Sequence, residues 1–187
     1  YPFCRGRIFD VVEKDCGQYD TVTEVMWVTG AALFIRLADY REVGGLDDHF
    51  FAHMEEIDLC WRLRSRGKKL VCIPQSVVYH VGGATLKKEN PRKTFLNFRN
   101  NLLMLYKNLP DKELEHVLFI RGILDRVAAL VFYLKKDRAN ARAVMQARRE
   151  FEDIRYSFAA SRIENIMKST DEMIPERTHF SILMKYY

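Results

Sequence analysis

Two glutamates and one histidine are the residues of this sequence whose types and positions best suit chemistry. Glu55 and Glu56 open a run typical of a helix, and a carboxylate placed there could act as a general base that takes a proton from a substrate hydroxyl. His80 ends a run typical of a β-strand and precedes two glycines, so its neutral imidazole could reach a cleft and ligate a metal ion. A lone histidine is by itself more often a core or surface residue.

The charges around these residues are segregated along the chain. Acidic residues concentrate in 39–58, and basic residues concentrate in 62–69 and 87–107. Such a pattern suits a site for a metal cation and a phosphate-bearing substrate, but from charge alone a solvated helix face is the favoured interpretation. Asp58 and Arg62 stand four residues apart, which predicts a structural ion pair on one helix face.

Length and composition indicate a globular protein. The chain has 187 residues, 48% of them hydrophobic and 29% charged, with a net charge of +5. These values exclude a disordered tail and a collagen-like fibre and favour anionic partners without requiring nucleic acid. The first residue is Tyr1 rather than Met, so we expect a piece of a longer protein. The four cysteines form no Cys-x-x-Cys pair, which predicts reduced, mostly buried thiols in a cytosolic protein.

Hydrophobic periodicity divides the chain near Pro110. Before it, the pattern predicts a mixture of strands and helices, and after it the pattern is helical. Ser161-x-x-Glu164 is a capping-box pattern and predicts a helix start. The predicted strands cover 24–35 (broken at Gly30), 69–73 and 77–81, and the predicted helices cover 38–43, 55–66, 94–109, 113–134 and 139–155.

The most apolar stretch, residues 118–134, is not a transmembrane span because it contains Arg121, Asp125 and Arg126. A helix on a membrane surface and a helix packed in a core both remain open for it. For the basic amphipathic run 94–109 three alternatives remain open: a helix on a membrane surface, a helix packed in the core, and a dimer interface.

Several motifs in a fixed order carry a resemblance to a known family. They read TGAALFIR at 29–36, VGGLD at 43–47, FFAHMEEIDLCWR at 50–62, VYHVGG at 78–83, NPRKTF at 90–95 and FRNN at 98–101. In this order they resemble bacterial family 2 glycosyltransferases, most closely the rhamnosyltransferase-like branch, over residues 22–108. The resemblance implies an α/β fold, namely the acceptor-side, C-terminal half of a GT-A domain in 1–109, followed by an all-α extension in 110–187.

The resemblance also implies roles for individual residues. Glu56 stands where the family has its catalytic base, with Glu55 as the neighbouring alternative, and His80 stands where many members have a metal ligand. Gly30 and Ala31 match the segment that lines the sugar pocket, and Asp47 fits the substrate-binding loop before the catalytic helix. Arg62 is expected to be structural.

The implied reaction is an inverting transfer of a sugar from a nucleotide-diphosphate sugar to a glycan or lipid-linked acceptor, with Mg²⁺ or Mn²⁺ as cofactor. The family's nucleotide-binding half and its Asp-x-Asp motif have no counterpart in these 187 residues, so the chain alone is expected to be inactive. The expected location is the cytoplasm, where the protein could also contact the inner face of the cell membrane peripherally. A homo-oligomer is a further option. The alternatives are a non-catalytic basic helical binding module and, last, a metal-dependent hydrolase using Glu56 and His80; nucleic acid is not an expected partner.

Overall fold

The computed structural model describes residues 16–80 and 90–169. Within these ranges helices dominate, and the strands are short. The helices are α1 (Leu37–Glu42), α2 (Glu55–Ser65), α3 (Pro91–Asn108), α4 (Asp111–Leu134), α5 (Arg138–Ile154) and α6 (Ala159–Met167). The strands are β1 (Thr23–Glu24) and β2 (Val71–Cys72), and short 3-10 helices cover Gly30–Ala32, Asp48–Phe50 and Arg155–Phe158.

The larger hydrophobic core lies between α3, α4 and α5. Leu102 and Leu103 of α3 and Phe151 of α5 are fully buried in it. Phe50, from the loop before α2, enters the same core and is also fully buried. The loop that precedes Glu55 and Glu56 is therefore anchored in the helical bundle.

A second, smaller core lies on the other side of α2. It contains Leu59, Cys60 and Leu63, covered by apolar residues of the segment 25–35. Beside it, β1 and β2 pair antiparallel, with Thr23 opposite Cys72 and Glu24 opposite Val71. Helix α2 is thus the element shared by both cores.

A buried ion-pair network fixes α2 against its neighbours. Asp58 is fully buried and accepts hydrogen bonds from Arg62 (Nε to Oδ2, 2.9 Å), Lys107 (Nζ to Oδ2, 3.0 Å) and Asn108 (Nδ2 to Oδ1, 2.8 Å). Lys107 Nζ also lies 2.7 Å from Asp47 Oδ2. The predicted Asp58–Arg62 pair is confirmed, and it belongs to a network that joins α2, α3 and the loop 43–47.

The glycines after α1 stop that helix as predicted. Gly44 and Gly45 have φ values of 81° and 70°, a conformation that side chains disfavour. At Gly45 a Cβ atom would also lie 2.9 Å from the Tyr40 ring, so the turn needs glycine.

The helix predictions are confirmed within a few residues, but two strand predictions are wrong. In 24–35 only Glu24 is in a strand, and residues 77–80 adopt no regular structure and are exposed; Val81 lies outside the described residues. Apolar runs of this kind become strands only when neighbouring strands pair with them. The capping-box prediction is wrong as well, because Ser161 lies inside α6, which begins at Ala159.

Two further predictions concern the burial of the cysteines and the absence of a transmembrane span. Cys60 is buried, and burial raises the pKa of its thiol, but Cys16 and Cys72 are exposed, so the expectation of mostly buried thiols is wrong for them. All three are free cysteines, and Cys4 lies outside the described residues. Among the described residues, no helix has the length and apolarity needed to span a membrane.

We expect Asp58→Ala to lower the free energy of unfolding by about 3–5 kcal/mol, because removing one member of a buried ion pair leaves its partners charged and unpaired. Chemical denaturation of the 187-residue chain measures this change. The matched control is Lys168→Ala, which removes an ion pair (Lys168 to Glu164, 2.6 Å) whose side chains are about half exposed, and which should cost about 0–1 kcal/mol. Equal losses in the two variants would contradict a central role for Asp58.

Candidate functional site

The loop before α2 has an unusual backbone. Phe51, His53 and Met54 have φ values of 60°, 71° and 73°, in the left-handed region that non-glycine residues rarely adopt. Each such residue costs about 1–3 kcal/mol, so surrounding contacts must hold the loop in place. Strained backbone of this kind is often found at functional sites, and Glu55 and Glu56 follow it directly.

Asn100 of α3 provides these contacts. Its Nδ2 atom lies 2.8 Å from the carbonyl oxygen of Phe50, 2.9 Å from that of Ala52 and 2.8 Å from that of His53. The other end of the amide, Oδ1, accepts a hydrogen bond from Arg99 Nε at 3.0 Å, which orients the side chain. Asn100 is fully buried, so these bonds do not compete with water.

Glu56 occupies the first turn of α2 and packs beside Gly30. A Cβ atom built on Gly30 would lie 3.7 Å from Glu56 Cβ, and Gly30 and Ala31 are themselves exposed. Burial raises the pKa of Glu56, and the nearby charge of Glu55 raises it further, against a lowering contribution from a backbone hydrogen bond. The structure therefore brings together three residues that the sequence predicted as site residues: Glu56, its neighbour Glu55 and Gly30.

Three buried polar atoms of this region are oriented towards no protein partner. His53 Nε2, Glu55 Oε2 and Glu56 Oε2 have no hydrogen-bond partner among the described residues. Burial lowers the pKa of His53, and the positive charge of Lys93 lowers it further although Glu55 opposes this, so a neutral imidazole is favoured. Buried polar atoms without a protein partner are exceptions in a folded protein, so they mark this region as a candidate binding region.

Two cations of α3 border the same loop. The Arg92 guanidinium lies over the Phe51 ring at 5.1 Å, and Lys93 is close enough to His53 to affect its pKa. Both residues belong to the first turn of α3, which is capped by the Asn90 side chain accepting from Arg92 N at 2.9 Å. The electrostatics at this edge are therefore positive, next to carboxylates on the α2 side.

Asp47, the predicted substrate-binding residue, has structural partners. Burial raises its pKa, but the hydrogen bonds and charge of Lys107 and the contacts with His49 outweigh burial and hold the pKa below its usual value. It also caps the 3-10 helix Asp48–Phe50 by accepting from His49 N at 3.1 Å. Its described contacts connect the loop to α3.

Ala31 and His80 have less defined surroundings. The backbone N–H of Ala31 donates to Thr29 Oγ1 at 3.4 Å, which places Ala31 in the 3-10 helix beside Glu56. His80 is exposed and is the last described residue before 90, and glycines 82 and 83 lie outside the described residues. Within 16–80 and 90–169, no group of three or more His, Cys, Asp or Glu residues is placed to hold a metal ion.

The acidic and basic clusters seen in the sequence largely pair with each other. Lys68 Nζ lies 2.8 Å from both Asp39 and Glu42, and Arg62 and Lys107 bind Asp58. The favoured interpretation, a solvated helix face, is wrong for Arg62 and Lys107, because both are buried. Lys68, Asp39 and Glu42 are partly exposed.

Sequence reasoning did not single out His53 or Asn100. Both lie inside quoted motifs, FFAHMEEIDLCWR and FRNN, but their spacing indicates no chemistry. Only the packing of α3 on the loop places Asn100 against three carbonyl groups. The sequence signal that could have led to His53 and Asn100 was their place inside these two motifs.

Comparison with known proteins adds partial relatives. A pre-mycofactocin glycosyltransferase of Mycobacterium tuberculosis is 31% identical over 141 residues, covering 70% of this chain and 29% of that protein. An N-acetylglucosaminyl-diphospho-decaprenol L-rhamnosyltransferase of the same species is 38% identical over 56 residues, 30% of this chain and 18% of that protein. The rhamnosyltransferase WbbL of Escherichia coli is 33% identical over 69 residues, 37% of this chain and 25% of that protein.

These relatives at low identity are glycosyltransferases, and they support a place for this chain in a glycosyltransferase family. The resemblance to glycosyltransferases, rhamnosyltransferases among them, is confirmed at that level. The chain spans less than a third of the length of each of these relatives. No protein-family model matches the chain, and no solved structure matches it.

We expect Asn100→Ala to lower the free energy of unfolding by at least about 2 kcal/mol, because it leaves buried carbonyl groups without their donor. Urea denaturation of the 187-residue chain measures the loss. The control is Asn97→Ala on the same helix, which removes a bond from Asn97 Nδ2 to the Lys93 carbonyl (2.9 Å) and no contact with the loop. If Asn100→Ala lowers the free energy of unfolding no more than Asn97→Ala does, the loop does not depend on the Asn100 side chain for its conformation.

The raised pKa of Glu56 predicts a pH dependence of stability. A carboxyl group whose pKa is higher in the folded than in the unfolded chain binds its proton more tightly when folded, so it lowers stability once pH rises above its unfolded value of 4.5. Glu56→Gln should therefore become more stable than the wild type as pH increases from 4 to 8, measured by denaturation at each pH. A difference that stays constant with pH would refute the shift.

Proposed function

We propose that this chain is the acceptor-side part of an inverting glycosyltransferase. It would transfer a sugar from a nucleotide-diphosphate sugar to a glycan or lipid-linked acceptor in cell-surface polysaccharide synthesis. The observation that carries the proposal is Glu56, a half-buried carboxylate with an unpartnered oxygen on a strained, clamped loop-to-helix junction beside exposed Gly30. The glycosyltransferase relatives support glycosyl transfer as the reaction class.

The proposed step is a single displacement. Glu56 accepts the proton of the acceptor hydroxyl, and the hydroxyl oxygen forms a bond to the anomeric carbon. The bond between that carbon and the diphosphate oxygen breaks, and its electron pair leaves with the nucleotide diphosphate. Attack from the face opposite the leaving group inverts the anomeric centre, and a base of raised pKa is well matched to proton transfer near neutral pH.

The unpartnered atoms around Glu56 fit a polyhydroxylated ligand. If a side-chain rotation exposes them to the ligand, Glu55 Oε2 and the Nε2 of a neutral His53 with its proton on Nδ1 can each accept a hydrogen bond from a sugar hydroxyl. Arg92 and Lys93 at the edge of the loop can attract the negative charge of a diphosphate. The arrangement therefore supports a ligand with hydroxyl groups at one end and phosphates at the other.

The described residues do not by themselves fit the divalent cation that the resemblance implies. His80 is the one metal ligand that the sequence predicted here, and a single exposed imidazole does not make a site for Mg²⁺ or Mn²⁺.

The proposed GT-A half-domain is supported by apolar surface around the short sheet. Large hydrophobic side chains there are exposed, from Val71 (47%) to Phe34 (92%) and Tyr79 (96%). Exposed apolar residues in such number usually mark a contact surface, and the remaining part of a mixed sheet would cover them. Helices α4 to α6 then form the C-terminal extension.

We expect Glu56→Gln to reduce turnover of the full-length protein by about 10²–10⁴-fold, the usual contribution of a general base. The assay measures release of nucleoside diphosphate from a panel of nucleotide sugars in the presence of membrane-lipid extract as acceptor source. Because burial and Glu55 raise the pKa of Glu56, activity should rise with pH along a limb above the range of an ordinary glutamate.

Glu55→Gln is the matched control, since it removes the neighbouring carboxylate and keeps the same helix turn. It should retain activity within about tenfold of the wild type, because Glu55 does not take the proton. If Glu55→Gln loses activity while Glu56→Gln keeps it, the base is Glu55. If both keep full activity, neither carboxylate is the base and the proposed step fails.

A further inference from the structure

The outward face of α4 is apolar and has no protein cover among the described residues. Its side chains are between 41% and 70% exposed, whereas the opposite face, with Leu114, Leu118, Asp125 and Ala129, is buried against the bundle. We call the exposed set the α4 stripe. It consists of Phe119, Ile120, Ile123, Val127, Leu130, Val131, Tyr133 and Leu134.

The α4 stripe is long and broad, and the exposed charge within its length is Arg126, on the line from Phe119 to Tyr133. From Phe119 to Leu134 it extends about 22 Å at 1.5 Å per residue. Ile120, Ile123, Val127, Leu130 and Leu134 form its central line, and Phe119, Val131 and Tyr133 widen it on both sides. A helix that pairs with one other helix needs only the narrow central line, so this width favours a broad apolar phase as the partner.

The rim of the α4 stripe is positively charged in its middle and at its C-terminal end, whereas the exposed Glu115 lies at its N-terminal end. Arg126 lies exposed beside the middle of the stripe, and Lys135, Lys136 and Arg138 follow its C-terminal end, all of them exposed. Tyr133, an aromatic residue with a polar tip, lies close to those cations, with its ring 5.9 Å from the Arg138 guanidinium. Apolar residues bordered by cations and an interfacial tyrosine are the arrangement that binds a bilayer with anionic headgroups.

The same charges disfavour a second copy of the chain as the occupant. An antiparallel partner centred on Val127 would place Arg126 beside the equivalent arginine. A parallel partner would place the C-terminal cations beside their own copies. Like charges at such distances repel, whereas an anionic surface meets all of them favourably.

We propose that the α4 stripe binds the surface of an anionic lipid bilayer, with α4 lying in the plane of the headgroups. This inference deepens the proposed function, on which its biological meaning rests, since it would hold the chain at the phase that contains a lipid-linked acceptor. Helix α4 runs back along α3, as the contact between Arg121 and the Phe98 ring at 6.0 Å shows. The C-terminal end of the stripe therefore points towards the end of α3 that carries Arg92 and Lys93.

Vesicle sedimentation of the 187-residue chain tests the proposal. We expect strong binding to vesicles of phosphatidylglycerol and phosphatidylethanolamine, weaker binding to phosphatidylcholine alone, and weakening of the anionic binding by salt. The double variant Ile123→Gln/Val127→Gln should lose at least tenfold in binding while keeping its helical circular dichroism, because both residues are about half exposed. Lys135→Gln/Lys136→Gln should lose about fivefold per lysine on anionic vesicles and little on neutral ones.

The matched control is Phe34→Gln, which removes a 92% exposed aromatic residue from the surface near the short sheet. It should leave vesicle binding unchanged, and a loss as large as that of the α4 variant would assign lipid binding to the other surface and overturn the proposal. Absence of binding to anionic vesicles would overturn it too. So would a dimer, seen by sedimentation equilibrium, that the Ile123→Gln/Val127→Gln variant dissociates.

These outcomes are separate from those of the proposed function. Vesicle binding uses no donor sugar, and Glu56→Gln should bind vesicles like the wild type. If the chain binds lipid through α4 but the Glu56→Gln variant of the full-length protein keeps its turnover, Glu56 is not the catalytic base and the lipid-binding proposal still holds. If Glu56→Gln loses turnover but the chain does not bind vesicles, the catalytic base is supported and the lipid-binding proposal fails.

Discussion

The burial of one carboxylate, Asp58, is the constraint on which the rest of the structure depends. A fully buried charge is tolerable only when it is paired and hydrogen-bonded, and Asp58 satisfies this with Arg62, Lys107 and Asn108. Those partners come from two helices, and Lys107 extends the contact to Asp47 in the preceding loop. Because the partners must meet at one point, the angle and register of α2 against α3 are fixed.

That fixed register is what allows the loop before α2 to hold a strained conformation. Asn100 stands two helical turns from Lys107 on α3, so the helix that pairs with Asp58 also presents the amide that binds the loop carbonyls. The cost of left-handed backbone at Phe51, His53 and Met54 is offset by these bonds and by the burial of Phe50. In the proposed enzyme, the stability of the bundle thus sets the position of Glu56.

Two surfaces of the described residues expose apolar side chains, one around the short sheet and one on α4. Around the short sheet the exposed residues are apolar, and among the described residues each strand has one edge without a partner strand, an arrangement that further backbone could pair with. On α4 the exposed residues are apolar, the backbone is satisfied within the helix, and the rim is cationic, which suits a lipid surface. The difference lies in backbone hydrogen bonding, because a helix can meet lipid without further partners and a sheet edge cannot.

The sequence by itself determined the helices and one local pair. The apolar spacing of α3 to α5, the double glycine after α1 and the four-residue separation of Asp58 and Arg62 are local patterns, and local geometry is enough to interpret them. The motif order also led to Glu56 and to the glycosyltransferase relatives. Tertiary structure alone decided that 24–35 is not a strand over most of its length, that Lys107 is buried, and that Asn100 binds the loop. Each of these depends on partners about 50 residues away, and no local pattern in the chain encodes which distant groups will meet.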